Sequence, residues 1–301
     1  LASINSYYVG NIYEILFYNS YLSDTQRQQI EGYLAWKWGL TSFLSVNHPF
    51  KYSAPSYYIP PFSPTDLPGC QLWLDGGDAS SLTLSGTNIT SWNDKSGNAR
   101  NAVQYNTGFA TYDSTARRAV ITTTGQLASP VPAGTFSSGV TGFVVFQKYG
   151  AGATYDAIVT RTNTNGAYPA PFDAYYYPPS GTTGRLVGNG TTNYANFTNS
   201  TNFPKNTTTT LYYFNIPANI SWSESQNGAT PANVTNNGTA GTPVYGDTGT
   251  QIYIGTRGDK VTNANVYIYE LIFYSGATLT TTQRQMVENY LAWKWGLNQS
   301  L

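Results

Sequence analysis

Charge is what this chain has least of. Asp, Glu, Lys and Arg make up 10% of its 301 residues, where an ordinary soluble domain carries about 25%. The 15 basic residues balance the 15 acidic ones and form no basic run, so no field exists to hold a phosphate backbone and nucleic-acid binding is excluded. Cysteine and histidine are scarcer still. Cys70 alone leaves no intrachain disulfide, and His48 alone cannot build a zinc site and would have to serve any Ser-His-Asp arrangement. His48 lies in the linker-like Val46-Asn47-His48-Pro49-Phe50. Cys70 lies in the strand-like Gly69-Cys70-Gln71-Leu72-Trp73-Leu74, where a thiol behaves as a small buried hydrophobe. No apolar run approaches the ~18 residues of a membrane-spanning helix. The sequence starts at Leu1 with neither an initiator Met nor a basic-then-apolar leader, as expected of a processed or truncated product.

What is abundant argues for a packed, polar-surfaced β protein. The chain is 40% hydrophobic with 26 Tyr, 13 Phe and 7 Trp, ample material for a core, which excludes disorder and coiled coil. Gly, Thr, Asn and Ser supply the rest. Asn-x-Ser/Thr sequons recur from Asn88 to Asn298, and with or without sugars they imply a hydrated exterior.

The chain also repeats its own ending. Asp24 to Leu40 (DTQRQQIEGYLAWKWGL) and Thr281 to Leu297 (TTQRQMVENYLAWKWGL) share 13 of 17 positions. Upstream, Ile12 to Tyr18 (IYEILFY) answers to Ile268 to Tyr274 (IYELIFY). Between them lies no second copy of the intervening stretch. Residues 1–40 therefore read as the terminal strand and helix of a preceding repeat, 41–65 as a Pro-rich linker, and 66–301 as one complete domain. The pattern suggests a tandem array with a period near 257 residues.

Each tail reads as a strand followed by a helix. Ile268 to Tyr274 is β-branched and aromatic with Glu270 its one charge, as expected of a strand covered on both faces. Ser23-Asp24-Thr25-Gln26 and Thr280-Thr281-Thr282-Gln283 both fit a capping box. Ile30, Tyr33, Leu34 and Trp38 form one apolar stripe that Gly39 ends, which is core rather than a cofactor site. Elsewhere short β-rich runs alternate with Gly, Pro and Asn: 142–147, 157–160, 211–216, 220–223 and 251–254. Asn227-Gly228 is a type I′ hairpin signal. Arg257-Gly258-Asp259 reads as the tip of a hairpin joining 252–254 to 266–268. Many strands, regular turns and one late helix describe an all-β, antiparallel two-sheet sandwich with a C-terminal amphipathic helix.

Several of these segments together resemble a known family. Leu72-Trp73-Leu74-Asp75-Gly76-Gly77-Asp78, Ile89-Thr90-Ser91-Trp92-Asn93-Asp94-Lys95-Ser96-Gly97-Asn98, Ile254 to Asp259, Glu270 to Tyr274 and the closing Gln283 to Leu297 are similar to the concanavalin A-like, laminin-G-like jelly-roll superfamily. The form is that of large repetitive surface proteins of bacteria and giant viruses. The resemblance implies a sandwich of two curved sheets, and by habit of that superfamily carbohydrate recognition or surface architecture. Its hydrolytic members carry Glu-x-Asp-x-x-Glu on one strand. None of the five Glu here (Glu14, Glu31, Glu224, Glu270, Glu288) stands in that spacing, so no catalytic residue is expected.

Asp75 and Asp78 remain as a carboxylate pair near a strand end. Turn formation is the main reading and Ca2+ ligation the minority one, since only two hard ligands are visible. For glycans, which need flat aromatic faces beside amides or carboxylates, the best stretch is Tyr168 to Gly190. Asp173, Tyr175, Tyr176, Tyr177 and Asn189 are its candidate binding residues. The expected function is a non-enzymatic extracellular or virion-surface module, structural or adhesive, with glycans or neighbouring copies in a fibre or capsid as partners. A dedicated lectin domain is the alternative, and a divergent glycoside hydrolase a more distant one.

Overall fold

The computed structural model describes residues 10–52, 62–150, 156–161, 172–176, 184–189, 194–198, 208–217, 222–233, 247, 249–257, 263–276 and 279–297. For residues 173, 175, 176, 184–189, 194–198 and 293 the backbone alone is described. The chain divides into two units, Leu1–Pro61 and Phe62–Leu301.

Among its described residues the first unit contains one α-helix, α1 (Asp24–Lys37), opened by a capping box in which Ser23 and Gln26 satisfy each other's backbone amides. It closes at Gly39, whose φ of +69° is the left-handed turn a side chain resists. Part of the Pro-rich stretch folds back on this helix. The Trp36 indole donates to the Phe50 carbonyl at 2.8 Å, and the Phe50 ring occupies the space a side chain at Gly32 would need. Residues 53–61 of that stretch lie outside the described residues.

The second unit is an antiparallel two-sheet sandwich with a single α-helix among its described residues, α2 (Thr281–Lys294). Its strands are β1 (Cys70–Asp75), β2 (Leu82–Ser85), β3 (Asn88–Trp92), β4 (Ala102–Gln104), β5 (Thr111–Asp113), β6 (Arg118–Ile121), β7 (Leu127–Pro130), β8 (Gly139–Lys148) and β9 (Asp156–Arg161). They continue as β10 (Phe172–Tyr176), β11 (Gly184–Asn189), β12 (Tyr194–Thr198), β13 (Thr210–Pro217), β14 (Ser223–Gln226), β15 (Ala232–Asn233), β16 (Gln251–Ile254) and β17 (Val266–Ser275). The runs expected as strands from composition are strands here, except that Ile220 and Ser221 lie outside the described residues and Trp222 precedes β14.

In the first sheet β17 is central: β8 pairs along one side, while β1 and the short β6 share the other. Beyond β8 follow β13, β14 and β15. The second sheet runs β12, β11, β10, β9, β16, β7, β4, β3, β2, and the hairpin of β5 and β6 links the two sheets. Asn227 and Gly228 both take positive φ at the turn between β14 and β15, as their sequence signals. Of the Arg257-Gly258-Asp259 stretch, read as a hairpin tip, Gly258 and Asp259 lie outside the described residues. Its flanking strands β16 and β17 lie in different sheets and share no register, although Thr256 and Asn263 form an antiparallel bridge at the crossover.

Alternation explains the layers. Val144, Phe214, Leu271 and Phe273 of the first sheet meet Trp92, Ile158, Phe172 and Ile254 of the second in one core. The alternate residues of the first sheet, Phe143, Val145, Tyr213, Ile272 and Tyr274, lie beneath Val287, Leu291 and Ala292 of α2 in another. The first sheet is therefore covered on both faces, which is why β17 has no polar face and reads as an unbroken apolar run around Glu270.

One residue between the sheets is set by space alone. Gly142 stands in register with both Phe214 and Phe273, and a Cβ there would come within 2.3 Å of the Phe214 ring. That ring packs at 5.2 Å from Phe172 across the sandwich. Gly142→Ala is expected to destabilise the second unit by about 1–3 kcal/mol through overpacking. Denaturant unfolding followed by Trp fluorescence measures it.

Candidate functional site

The residues repeated in the tails converge on one buried carboxylate. Glu270, fully buried on β17, accepts from the Trp73 indole (2.7 Å) and the Tyr290 hydroxyl (2.9 Å) on Oε1, and from the Trp295 indole on Oε2 (2.8 Å). Lys294 Nζ lies 2.8 Å from Oε2 and also reaches Asp75 Oδ1 at 2.5 Å. Burial, and after it the Asp75 charge, pushes Glu270 above the ordinary carboxylate range, while Lys294 and the Trp73 indole oppose the shift. A carboxylate so enclosed has no lone pair free to take a substrate proton, and the cluster joins β1, β17 and α2 instead.

Asp75 and Asp78, the pair considered for Ca2+, are brought together around a cation that belongs to the chain. Lys95 Nζ lies 2.9 Å from Asp75 and 2.7 Å from Asp78. That ammonium, together with Ser80, holds Asp78 down to about 2. Asp75 also accepts from the Gly77 amide and Asp78 from the Ser80 amide, so the pair shapes the turn as well. The donor set fits an ammonium, not calcium, and among the described residues no group of three or more His, Cys, Asp or Glu is placed to hold a metal.

Other candidate groups are equally committed. Burial pushes the Cys70 thiol up to about 12, which leaves no thiolate for nucleophilic chemistry at neutral pH. The buried Arg161 and Asp247 pair at 2.6 and 2.9 Å, with Arg161 also donating to the Val131, Pro132 and Gly249 carbonyls. Glu224 is the exception. Buried in the sandwich core and bonded at 2.5 Å to Tyr212, it is raised to about 7 by desolvation, which the Tyr212 bond partly offsets.

The residues expected to bind glycans fall on the second sheet. A transverse register row runs Ser91, Val103, Ala128, Tyr253, Thr160, Asp173, Val187, Asn196, and it alternates with the core row of Leu127, Ile254, Val159 and Ala174. Asp173 thus holds a position on the face turned from the core, in register with Thr160 and through it Tyr253, both buried. Tyr175 and Tyr176 follow it on β10 after a register shift, and Asn189 ends β11. Tyr177 lies outside the described residues.

A second aromatic and polar patch escaped the sequence reading. It is built on the hairpin of β5 and β6, where Asp113 accepts from the Thr115 and Ala116 amides and Arg117 takes φ +54°. Arg118 then lies over the Tyr267 ring, its Cζ 3.5 Å from the centroid, and Tyr149 stacks on the same ring at 4.2 Å. Asp113, Gln147 and the Tyr269 hydroxyl surround the guanidinium at 3.2, 3.3 and 2.8 Å. Arg118, Asp113, Gln147, Tyr149 and Tyr267 are all part-exposed. The available signal was Arg117-Arg118, two adjacent basic residues in a chain with 15.

This arrangement defines a β-sandwich with a closed charge cluster and a half-open aromatic and guanidinium patch. No family model and no curated protein sequence matches the chain. Among solved structures it is similar to Trypanosoma rangeli sialidase in complex with sialic acid, at 14% identity and TM-score 0.51, over 90% of this chain and 39% of that one. It is also similar to the binding domain of botulinum neurotoxin DC in complex with SialylT, at 11% identity and TM-score 0.52, over 76% of this chain and 52% of that one. The chain thus spans about half or less of the proteins it is similar to. At such identity the likeness is one of fold, and the fold is the antiparallel sandwich.

Two outcomes follow from these buried acids. Glu270→Ala, which leaves two indoles and the Tyr290 hydroxyl without their acceptor and strips Lys294 of one of its two carboxylates, is expected to cost about 3–5 kcal/mol in chemical denaturation. For Glu224 the folded value lies above the unfolded 4.5, so the folded state holds the proton more tightly. Its contribution is intact below 4.5 and is lost as pH rises through about 7. Melting temperature followed from pH 4.5 to 8 is expected to fall less in Glu224→Gln than in the unaltered chain, and equal slopes would contradict this assignment.

Proposed function

We propose that this chain is a non-enzymatic module of an extracellular or virion surface, structural or adhesive, repeated in series, and that it binds glycans. The observation that carries the glycan reading is the stack of Tyr149, Tyr267 and Arg118, bordered by Gln147 and Asp113. Flat faces pack against the C–H surface of a sugar, while a guanidinium and an amide address its hydroxyls or carboxylate. The complexes of two fold neighbours, with sialic acid and with SialylT, lend the same support. The non-enzymatic reading is supported by the acids of the described cluster, each held by dedicated donors. The resemblance to repetitive surface proteins supports the location and the series.

A dedicated lectin domain reading through β10 is favoured by the place of Asp173 on the sheet face turned from the core. A glycan array of sialylated and neutral oligosaccharides separates the two sites. Binding reduced ~10-fold or more by Arg118→Ala and by Tyr149→Ala, with melting temperature unchanged, is the expected result for a stacking subsite. Loss on Tyr175→Ala and Tyr176→Ala instead would move the site to β10. No binding by the unaltered chain removes the glycan reading and leaves the structural one, and release of reducing ends from any glycan would overturn the non-enzymatic one.

A further inference from the structure

The first unit carries a face built to be covered. Ile12, Phe17 and Tyr18 are 61%, 92% and 53% exposed, whereas their counterparts Ile268, Phe273 and Tyr274 in the second unit are 0%, 0% and 2%. Residues 11–18 join no strand ladder among the described residues, although their counterparts make up most of β17. Ile30 and Leu34 of α1 are only part-buried, where Val287 and Leu291 are fully buried.

The charge cluster is present there in half. Glu14 accepts from the Trp38 indole at 2.8 Å and pairs with Lys37 at 3.1 Å, and Lys37 donates to the Tyr33 hydroxyl at 2.8 Å. These are the bonds that Glu270 makes with Trp295 and Lys294, and Lys294 with Tyr290. The other half, the Trp73 indole and the Asp75 carboxylate on β1, has no sequence counterpart in residues 1–52.

We infer that residues 12–40 are the closing strand and helix of a second sandwich body, distinct from that of residues 62–301, which presents a Trp-x-Asp strand like β1 and takes its closing strand and helix from here. The body of the second unit is already closed by its own β17 and α2, so the tail at 12–40 calls for another. An unpaired apolar strand is stable only when another sheet adds it at an edge. Here the second unit shows which edge: β17 lies between β8 and β1, with α2 over the first sheet. The inference rests on the reading of the chain as a repeat module and is independent of glycan binding.

The test places residues 62–256 ahead of Leu1 in the full chain, at the spacing that joins body and tail in the second unit, and follows hydrogen exchange. The amides of 12–18 are expected to slow by ~100-fold relative to the unextended chain as they enter a ladder. Glu14→Gln and Trp38→Phe in the extended chain are expected to reverse part of that protection. Fast exchange at 12–18 while 268–274 stay protected in the same molecule overturns the inference. Protection already present in the unextended chain, together with a dimeric mass by sedimentation, assigns the face to a second copy and overturns it equally. Glycan capture by the second unit is unchanged in either event, so failure here is distinct from failure of the glycan reading.

Discussion

The second unit is organised around a carboxylate that water cannot reach. Glu270 sits on the central strand of a sheet covered on both faces, where an unsatisfied charge would cost several kcal/mol. Its four donors come from two elements distant from each other in sequence: Trp73 from β1, and Tyr290, Lys294 and Trp295 from α2 and its cap. Each can reach the carboxylate only if β1 lies beside β17 and α2 lies across the sheet. Lys294 then ties in Asp75, and Asp75 ties in Lys95 and the turn to Asp78. Segments far apart in sequence are thus parts of one cluster, in which each satisfies another's buried polar group.

That dependence bears on function by subtraction. The acids that a reading for hydrolysis or metal binding would pick first are consumed in holding the sandwich closed. Among the surfaces the cluster does not use, the patch around Arg118 offers two rings, an amide, a guanidinium and the Asp113 carboxylate. The low charge of the chain is consistent with this division, since much of it is interior and structural.

Much of the architecture was legible from the residues. Capping boxes at Ser23 and Thr280, the stop at Gly39, the Asn227-Gly228 turn and the two-sided burial of β17 are local effects, fixed by hydrogen-bond geometry and side-chain period. The patch around Arg118 was not legible. It draws Tyr149 from the end of β8, Arg118 from β6 and Tyr267 from β17, and only β17 pairing with both strands puts them side by side.

The sequence by itself determined that the chain is an all-β sandwich ending in a capped helix, and that its first forty residues duplicate that ending. Period and capping are properties of neighbours along the chain, so they are readable there. Only the tertiary structure decided what the duplicated residues are for. Whether a Glu, a Lys and two Trp make a ligand site, a metal site or a clasp depends on which donors face which acceptors across 197 residues between Trp73 and Glu270. Burial decides it here, because inside a covered sheet a carboxylate must be fully satisfied by the protein itself.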